Sequence, residues 1–175
     1  MKGTVRLALT LLIVCGLAAG ALSVVNAVTK ERIAAFVLEE QQRARQAVFP
    51  GAEDFAETEP GRRWDALQAG QKVGAVVRAS VQGYSGTIDV MVGVDAAGVV
   101  QGARVLTQTE TPGLGAKIVE EAFSAQFTGR TADQVALRKD ESTRGAIDAI
   151  AAATISSRAV TRAVRSALVT AAGGE

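Results

Sequence analysis

The chain has no histidine and a single cysteine, Cys15, among its 175 residues. The first absence removes every histidine-based triad, proton shuttle and metal ligand. The second removes intrachain disulfides, Cys-cluster zinc sites and Cys-ligated iron–sulfur clusters. Aromatic residues make up only 4%, too few for a base-stacking surface. An excess of one charge sign is also lacking. Nineteen Lys and Arg against 18 Asp and Glu leave a net charge of +1, so no nucleic-acid partner is expected. The 48% of hydrophobic residues excludes a disordered chain. Chemistry would have to come from carboxylates, hydroxyls, amines or a borrowed organic cofactor; no metal ligand set and no self-sufficient catalytic residue is expected.

What is present is a long apolar run. From Leu7 to Thr29 the sequence LALTLLIVCGLAAGALSVVNAVT carries no charge. As a helix it would be about 35 Å long, enough to cross a hydrocarbon core of about 30 Å. The reading is a single transmembrane anchor over residues 1–29. A cleaved signal peptide ending at Val25-Asn26-Ala27 is the rival, but the run is longer than an ordinary signal-peptide core. A lipoprotein reading of Cys15 is disfavoured, because Leu-Ile-Val occurs just before it. Lys2 and Arg6 on one side are matched by Lys30, Arg32, Arg43 and Arg45 on the other, so charge does not orient the anchor.

Residues 30–50 keep helical spacing, with Ile33, Phe36, Val37, Ala44, Ala47 and Val48 at three- and four-residue steps, and read as an amphipathic stalk ended by Pro50-Gly51. The polar stretch Ala52–Arg63 reads as a loop. Strands are expected at Trp64–Ala69, Lys72–Val81, Thr87–Val94 and Val99–Thr107. The last two form a hairpin about Asp95-Ala96-Ala97-Gly98, and Ile88, Val90, Val92 and Val94 share one face. A helix is expected over Gly115–Phe127 with Ile118, Ala122 and Phe123 on one face, a brief strand at Val135–Leu137, and a strong helix over Ile155–Ala172. Residues 51–175 thus form one α+β domain with antiparallel strands and flanking helices.

Two segments stand out. In Thr109-Glu110-Thr111-Pro112-Gly113-Leu114-Gly115, a proline and two glycines make a tight path into a helix. Alone it is a plain strand-to-helix turn. The second is Asp148-Ala149-Ile150-Ala151-Ala152-Ala153-Thr154-Ile155-Ser156-Ser157-Arg158. Thr154 is placed as an N-cap of the last helix; a helix start also attracts phosphate, with Ser156, Ser157 and Arg158 as further donors. Lys117 or Arg144 could partner a phosphate or a ring oxygen.

Gly83-Tyr84-Ser85-Gly86-Thr87-Ile88, Val92-Gly93-Val94-Asp95, Glu110-Thr111-Pro112-Gly113-Leu114-Gly115 and Asp148-Ala149-Ile150 through Arg158-Ala159-Val160 occur in the order seen in domains that bind flavin mononucleotide (FMN). Over roughly residues 1–172 the chain resembles the G subunits of the Rnf electron-transport complex, and more distantly the C subunits of the sodium-pumping NADH:quinone oxidoreductase. The resemblance implies an electron relay in a ferredoxin- and NAD-linked, ion-translocating membrane complex, an enzyme only as part of that complex. It implies FMN attached by a phosphoester to Thr154, made by a flavin transferase. Glu110, Thr111, Gly113, Leu114, Gly115, Ala153, Ile155 and Ser156 would surround the cofactor. It also implies a single-pass protein of the bacterial cytoplasmic membrane, with its domain on the extracytoplasmic side among the other subunits. Where the family has Ser-Gly before Ala-Thr, this chain has Ala151-Ala152. The change removes a hydroxyl and adds a Cβ, which is costly where φ is positive. Two other readings remain: an assembly scaffold without flavin, and a stand-alone extracytoplasmic flavoprotein.

Overall fold

The computed structural model describes residues 2–173. The chain divides into two compact units, Met1–Gln42 and Arg43–Glu175. The first consists of most of helix α1 (Lys2–Val48). Among the described residues, α1 is the one helix long and apolar enough to cross a membrane. The large apolar residues from Leu7 to Val28 are exposed along it, and so is Cys15. Ile33, Phe36 and Val37 are exposed as well; of the apolar positions on the expected stalk face, only Ala44 and Val48 are buried.

The second unit is built on a five-stranded antiparallel meander, β1 (Asp54–Glu59), β2 (Arg63–Gln68), β3 (Gln71–Gln82), β4 (Thr87–Asp95) and β5 (Val100–Thr107), in spatial order β1-β2-β3-β4-β5. The β3–β4 register runs unbroken from Gln82↔Thr87 to Gly74↔Asp95. The β4–β5 turn is fixed by Asp95, whose Oδ1 accepts from the amides of Ala97 and Val99, both at 2.9 Å. Period-two side-chain alternation gives the sheet two different faces. Ile88, Val90, Val92 and Val94 enter the main core, as their spacing predicts, where Val160, Ala163, Val164 and Leu168 of helix α3 (Thr154–Ala171) cover them.

The opposite face carries a smaller core of Trp64, Val76 and Met91 with Ala44, Val48 and Phe49 from the end of α1. Three glycines make room for that chain end. A Cβ on Gly74 would lie 2.5 Å from the Phe49 ring, one on Gly102 would lie 2.9 Å from Val48 Cα, and one on Gly93 would strike the Val48 carbonyl. Arg45 spreads its guanidinium over the rings of Trp64 (5.0 Å) and Phe55 (6.0 Å), which ties β1 and β2 to the same turn of helix.

Four expectations need correction. Part of the expected 52–63 loop is strand β1, an edge strand whose six residues are nearly all exposed; Phe55 alone packs on the smaller core, too little to show an alternation. The expected helix 115–127 is broken into a 3-10 turn (Gly115–Val119), a short α2 (Glu121–Ser124) and a second 3-10 turn (Ala125–Phe127). Glu120 is extended at the break, φ −67° and ψ 139°. Ile118 and Phe123 are five residues apart and would diverge on a straight helix; the break buries both, while Ala122 is exposed. The strand expected at Val135–Leu137 is a single parallel bridge, Leu137↔Ile147, although all three residues are buried. Finally, Thr154 is not an N-cap: Ala153 holds that position and no side chain caps the helix.

Candidate functional site

The segment after β5 and the start of α3 face each other across a cleft of about 550 Å³. This is within the range of about 300–1,000 Å³ typical of small-ligand sites. Tyr84, Glu110, Thr111, Leu114, Gly115 and Ala152–Ser156 line it. Of the residues expected around a cofactor, Glu110, Thr111, Leu114, Gly115, Ala153, Thr154, Ile155 and Ser156 are all here. Gly113 is the exception. It sits in the turn closed between Thr111 and Leu114, at φ +76°.

Glu110 joins the two sides. It is buried, and its Oε1 accepts from the Ser85 amide at 2.9 Å. Its Oε2 accepts from the Tyr84 amide at 3.2 Å and from the Ser156 hydroxyl in a short hydrogen bond. Burial alone would push this carboxyl up. The Ser156 hydroxyl and the amides of Ser85, Tyr84 and Gly86 outweigh it and hold the group below its ordinary value. Glu110 is therefore an ionised carboxylate with its lone pairs engaged. Gly83 and Gly115 make space for it: a Cβ on Gly83 would lie 2.5 Å from Oε1, and one on Gly115 would lie 2.9 Å from Oε2.

The opposite wall is the turn Ile150–Ala153, closed by the Ala153 amide donating to the Ile150 carbonyl at 3.0 Å. Ala152 adopts φ +61° there, the position and sign that favour glycine in a type II turn. Ser157 braces it. Its Oγ accepts from the Ile150 amide at 3.0 Å and donates to the Ala153 carbonyl at 2.9 Å. Thr154 opens α3; the Ser157 amide donates to the Ala153 carbonyl at 3.0 Å, and the amides of Thr154, Ile155 and Ser156 before it have no helical acceptor.

The Thr154 hydroxyl accepts from Lys139 Nζ at 3.1 Å. Lys117 and Arg144 do not line the cleft. Ser156, Ser157 and Arg158, read as spare donors, are all committed: to Glu110, to the Ala153 carbonyl, and to both oxygens of Asp140 at 2.7 Å.

Sequence reasoning missed two residues. Tyr84 lies within the Gly83–Ile88 motif, but no spacing argument ties it to α3. Lys139 belongs to the charge run Arg138–Glu141, which the sequence shows but cannot direct. The site combines an apolar rim of Tyr84, Leu114 and Ile155, each substantially exposed, with a helix start whose Thr154 hydroxyl is met by the Lys139 ammonium from outside the lining residues. That pairing suits a flat apolar ring system carrying an anionic phosphate.

Comparison with known proteins agrees with this chemistry. Residues 83–169 match the family model of the FMN-binding domain. The chain is 35% identical over 129 residues to the G subunit of the proton-translocating ferredoxin:NAD(+) oxidoreductase complex of Clostridium ljungdahlii, covering 73% of this chain and 70% of that one. It is 32% identical over 186 residues to the G subunit of the Na(+)-translocating complex of Acetobacterium woodii, covering 93% and 89%. Among solved structures it resembles the C subunit of the Na(+)-translocating NADH-quinone reductase of Parabacteroides distasonis. That match has a TM-score of 0.51 and 27% identity, over 61% of this chain and 58% of the other.

Proposed function

The chain belongs to the family of G subunits of ion-translocating ferredoxin:NAD(+) oxidoreductase complexes and contains an FMN-binding domain, and we propose that it relays electrons within such a complex through FMN held covalently on Thr154. The observation that carries this reading is the position of Thr154. Its hydroxyl lies at the first residue of α3, in the wall of the cleft, where a phosphate would meet free helix amides and the helix dipole.

The residues present fit the cofactor. Thr154 Oγ1 would bear the phosphate, with the first-turn amides of α3 facing its charge. Tyr84, Leu114 and Ile155 would pack on the ring, and Thr111, Gly115 and Ala153 would bring backbone close to it. Glu110 and Ser156 are engaged with each other and hold the two walls at a fixed separation. Bound FMN would supply one- and two-electron redox chemistry, which the chain's own side chains lack. The protein's part is to retain, orient and shield it.

Covalent retention suits a domain on the extracytoplasmic side of the cytoplasmic membrane, where a dissociated cofactor would be lost. α1 would be the single-pass anchor, the other subunits of the complex its partners, and a flavin transferase its maturation factor. The two relatives are named for different ions, protons and Na(+).

The test is in-gel flavin fluorescence after denaturing electrophoresis of the full chain co-expressed with a flavin transferase, beside Thr154→Ala. A fluorescent band lost completely in the variant is expected. No band from the unsubstituted chain, with the transferase active on another target, would sink covalent attachment. It would leave an assembly scaffold as the reading, with Ala152 at φ +61° as its structural cause.

A further inference from the structure

We propose that Lys139 is the positioning residue for the phosphate at Thr154, pairing its ammonium with the anionic oxygens of the phosphoester and steering that linkage into place. The inference rests on Thr154 as the attachment point, and adds a residue that no sequence motif singles out.

The geometry is specific. Four consecutive charged residues each reach toward the turn before α3 or toward α3 itself. Arg138 pairs with Asp148 at 3.1 Å, Lys139 donates to Thr154 at 3.1 Å, Asp140 takes both 2.7 Å bonds from Arg158, and Glu141 lies 3.6 Å from Arg165. Thr154 and Arg158 are one turn apart on the same helix face. The planar fork at Asp140–Arg158 thus fixes the residue next to Lys139 against that face.

The loop behind them is also internally bonded. The Arg138 amide donates to the Ile147 carbonyl at 3.0 Å, and the Gly145 amide donates to the Glu141 carbonyl at 2.7 Å. A Cβ on Gly145 would lie 2.6 Å from the Leu137 carbonyl. Lys139 is therefore presented to Thr154 by a built loop.

The chemistry follows from the atom that Lys139 touches. Attachment forms a bond between Thr154 Oγ1 and phosphorus. A phosphoanhydride bond of a pyrophosphate-linked flavin nucleotide breaks, a nucleoside monophosphate leaves, and the hydroxyl proton passes to a base on the transferase. The product is a phosphodiester with one negative charge. Its two non-bridging oxygens are borne by the phosphorus bonded to Oγ1, within reach of an ammonium already at hydrogen-bond distance from that atom. An ammonium carries three donors and no acceptor, so Lys139 orients and neutralises the phosphate and does not serve as the base. Lysine is suited to this as a compact point charge on a flexible stem.

The experiment measures the initial rate of FMN incorporation into the full chain by intact mass. It uses purified transferase and a pyrophosphate-linked flavin nucleotide, with Lys139→Gln, Lys139→Arg and Thr154→Ala, and records the phosphorus-31 shift of the labelled products. Removing one charge-assisted contact of about 1.4 kcal/mol corresponds to about tenfold. Lys139→Gln is therefore expected to label about tenfold more slowly and to shift the phosphorus resonance. Lys139→Arg should stay within about threefold of the original rate, and all variants should melt at the same temperature.

Labelling of Lys139→Gln at the original rate with an unmoved resonance overturns the role of Lys139 and leaves Thr154 intact as the attachment point. Equal slowing by Gln and Arg overturns it too, since loop packing and not charge would then be responsible. A chain that takes no label at all, or label that survives Thr154→Ala, overturns the attachment reading and this inference with it.

Discussion

On one wall of the cleft, Thr111-Pro112-Gly113-Leu114 reverses the chain with Pro112 at the second position and Gly113 at φ +76°; on the other, Ile150-Ala151-Ala152-Ala153 reverses it with Ala152 at φ +61°. Both turns are closed by the fourth amide donating to the first carbonyl, at 3.2 Å and 3.0 Å. The first turn is dictated locally, because proline presets the second position and glycine accepts the left-handed third. The second is imposed from outside. Ser157 holds both ends of it with its one hydroxyl. One wall owes its shape to its own residues, and the other is held against a preference of about 1 kcal/mol or more. Glu110 couples them, bonded to the 84–85 backbone beside the first wall and to Ser156 just beyond the second.

Removing that coupling should have the largest effect. Glu110→Ala leaves the amides of Tyr84 and Ser85 and the Ser156 hydroxyl without their acceptor. Losing several bonds to one buried carboxylate is expected to destabilise the domain by about 2–4 kcal/mol. Trp64, buried and the sole tryptophan, reports this by fluorescence during urea denaturation of the full chain in detergent. The effect should depend on pH in a defined direction. Glu110 is held below its ordinary value, so its stabilisation is complete above the unfolded value of about 4.3 and is lost as pH falls through the lower folded value. The alanine variant should therefore show a flatter acid limb below about pH 4.3. An unchanged acid limb would mean that Glu110 does not couple the walls as an ionised group.

Gly115→Ala comes next. Its added Cβ would lie 2.7 Å from Ser156 Oγ and 2.9 Å from Glu110 Cβ. It presses the walls apart and leaves the hydrogen bonds their partners. Overpacking of this kind costs about 1–3 kcal/mol, read in the same denaturation experiment. The variant should also take up less FMN, since Gly115 lines the cleft. A stable variant with full uptake would show that the walls can part without consequence.

Much of this arrangement is legible in the sequence for physical reasons. The alternation in β4 announces its buried face because one side of the sheet is apolar throughout. The proline and glycines of 111–115 announce a turn because they restrict the backbone themselves. β1 is not legible, because an edge strand with one half-buried side chain, Phe55, has no period to show. The break at Glu120 escapes as well, since it is decided by where Ile118 and Phe123 must point and not by any breaker residue. In the site, Thr154 and the 110–115 segment can be found by motif. Lys139 cannot: it lies 15 positions before the hydroxyl it meets, and it is brought back by the Leu137↔Ile147 bridge and the ion pairs Arg138–Asp148 and Asp140–Arg158. The strain at Ala152 is equally silent, because alanine reads as a helix former wherever it occurs.

The finest test of the comparison exchanges the residues between the two turns. Gly113→Ala places a Cβ where nothing lies within 4 Å, so any cost comes from backbone conformation alone. It should be about 1 kcal/mol after the smaller unfolded-state entropy of alanine is set against it. Ala152→Gly relieves the same conformation on the other wall and should stabilise by about 0.5–1 kcal/mol, the lower end applying because glycine loses more freedom on folding. It also removes a Cβ from the cleft lining beside Thr154, so the labelling rate should rise with stability. Opposite signs from chemically opposite substitutions would establish that the walls differ in how they are held, with their turn geometry alike. A destabilised Ala152→Gly would instead show that the Ala152 methyl contributes packing greater than its strain, and that the second turn prefers the residue it has.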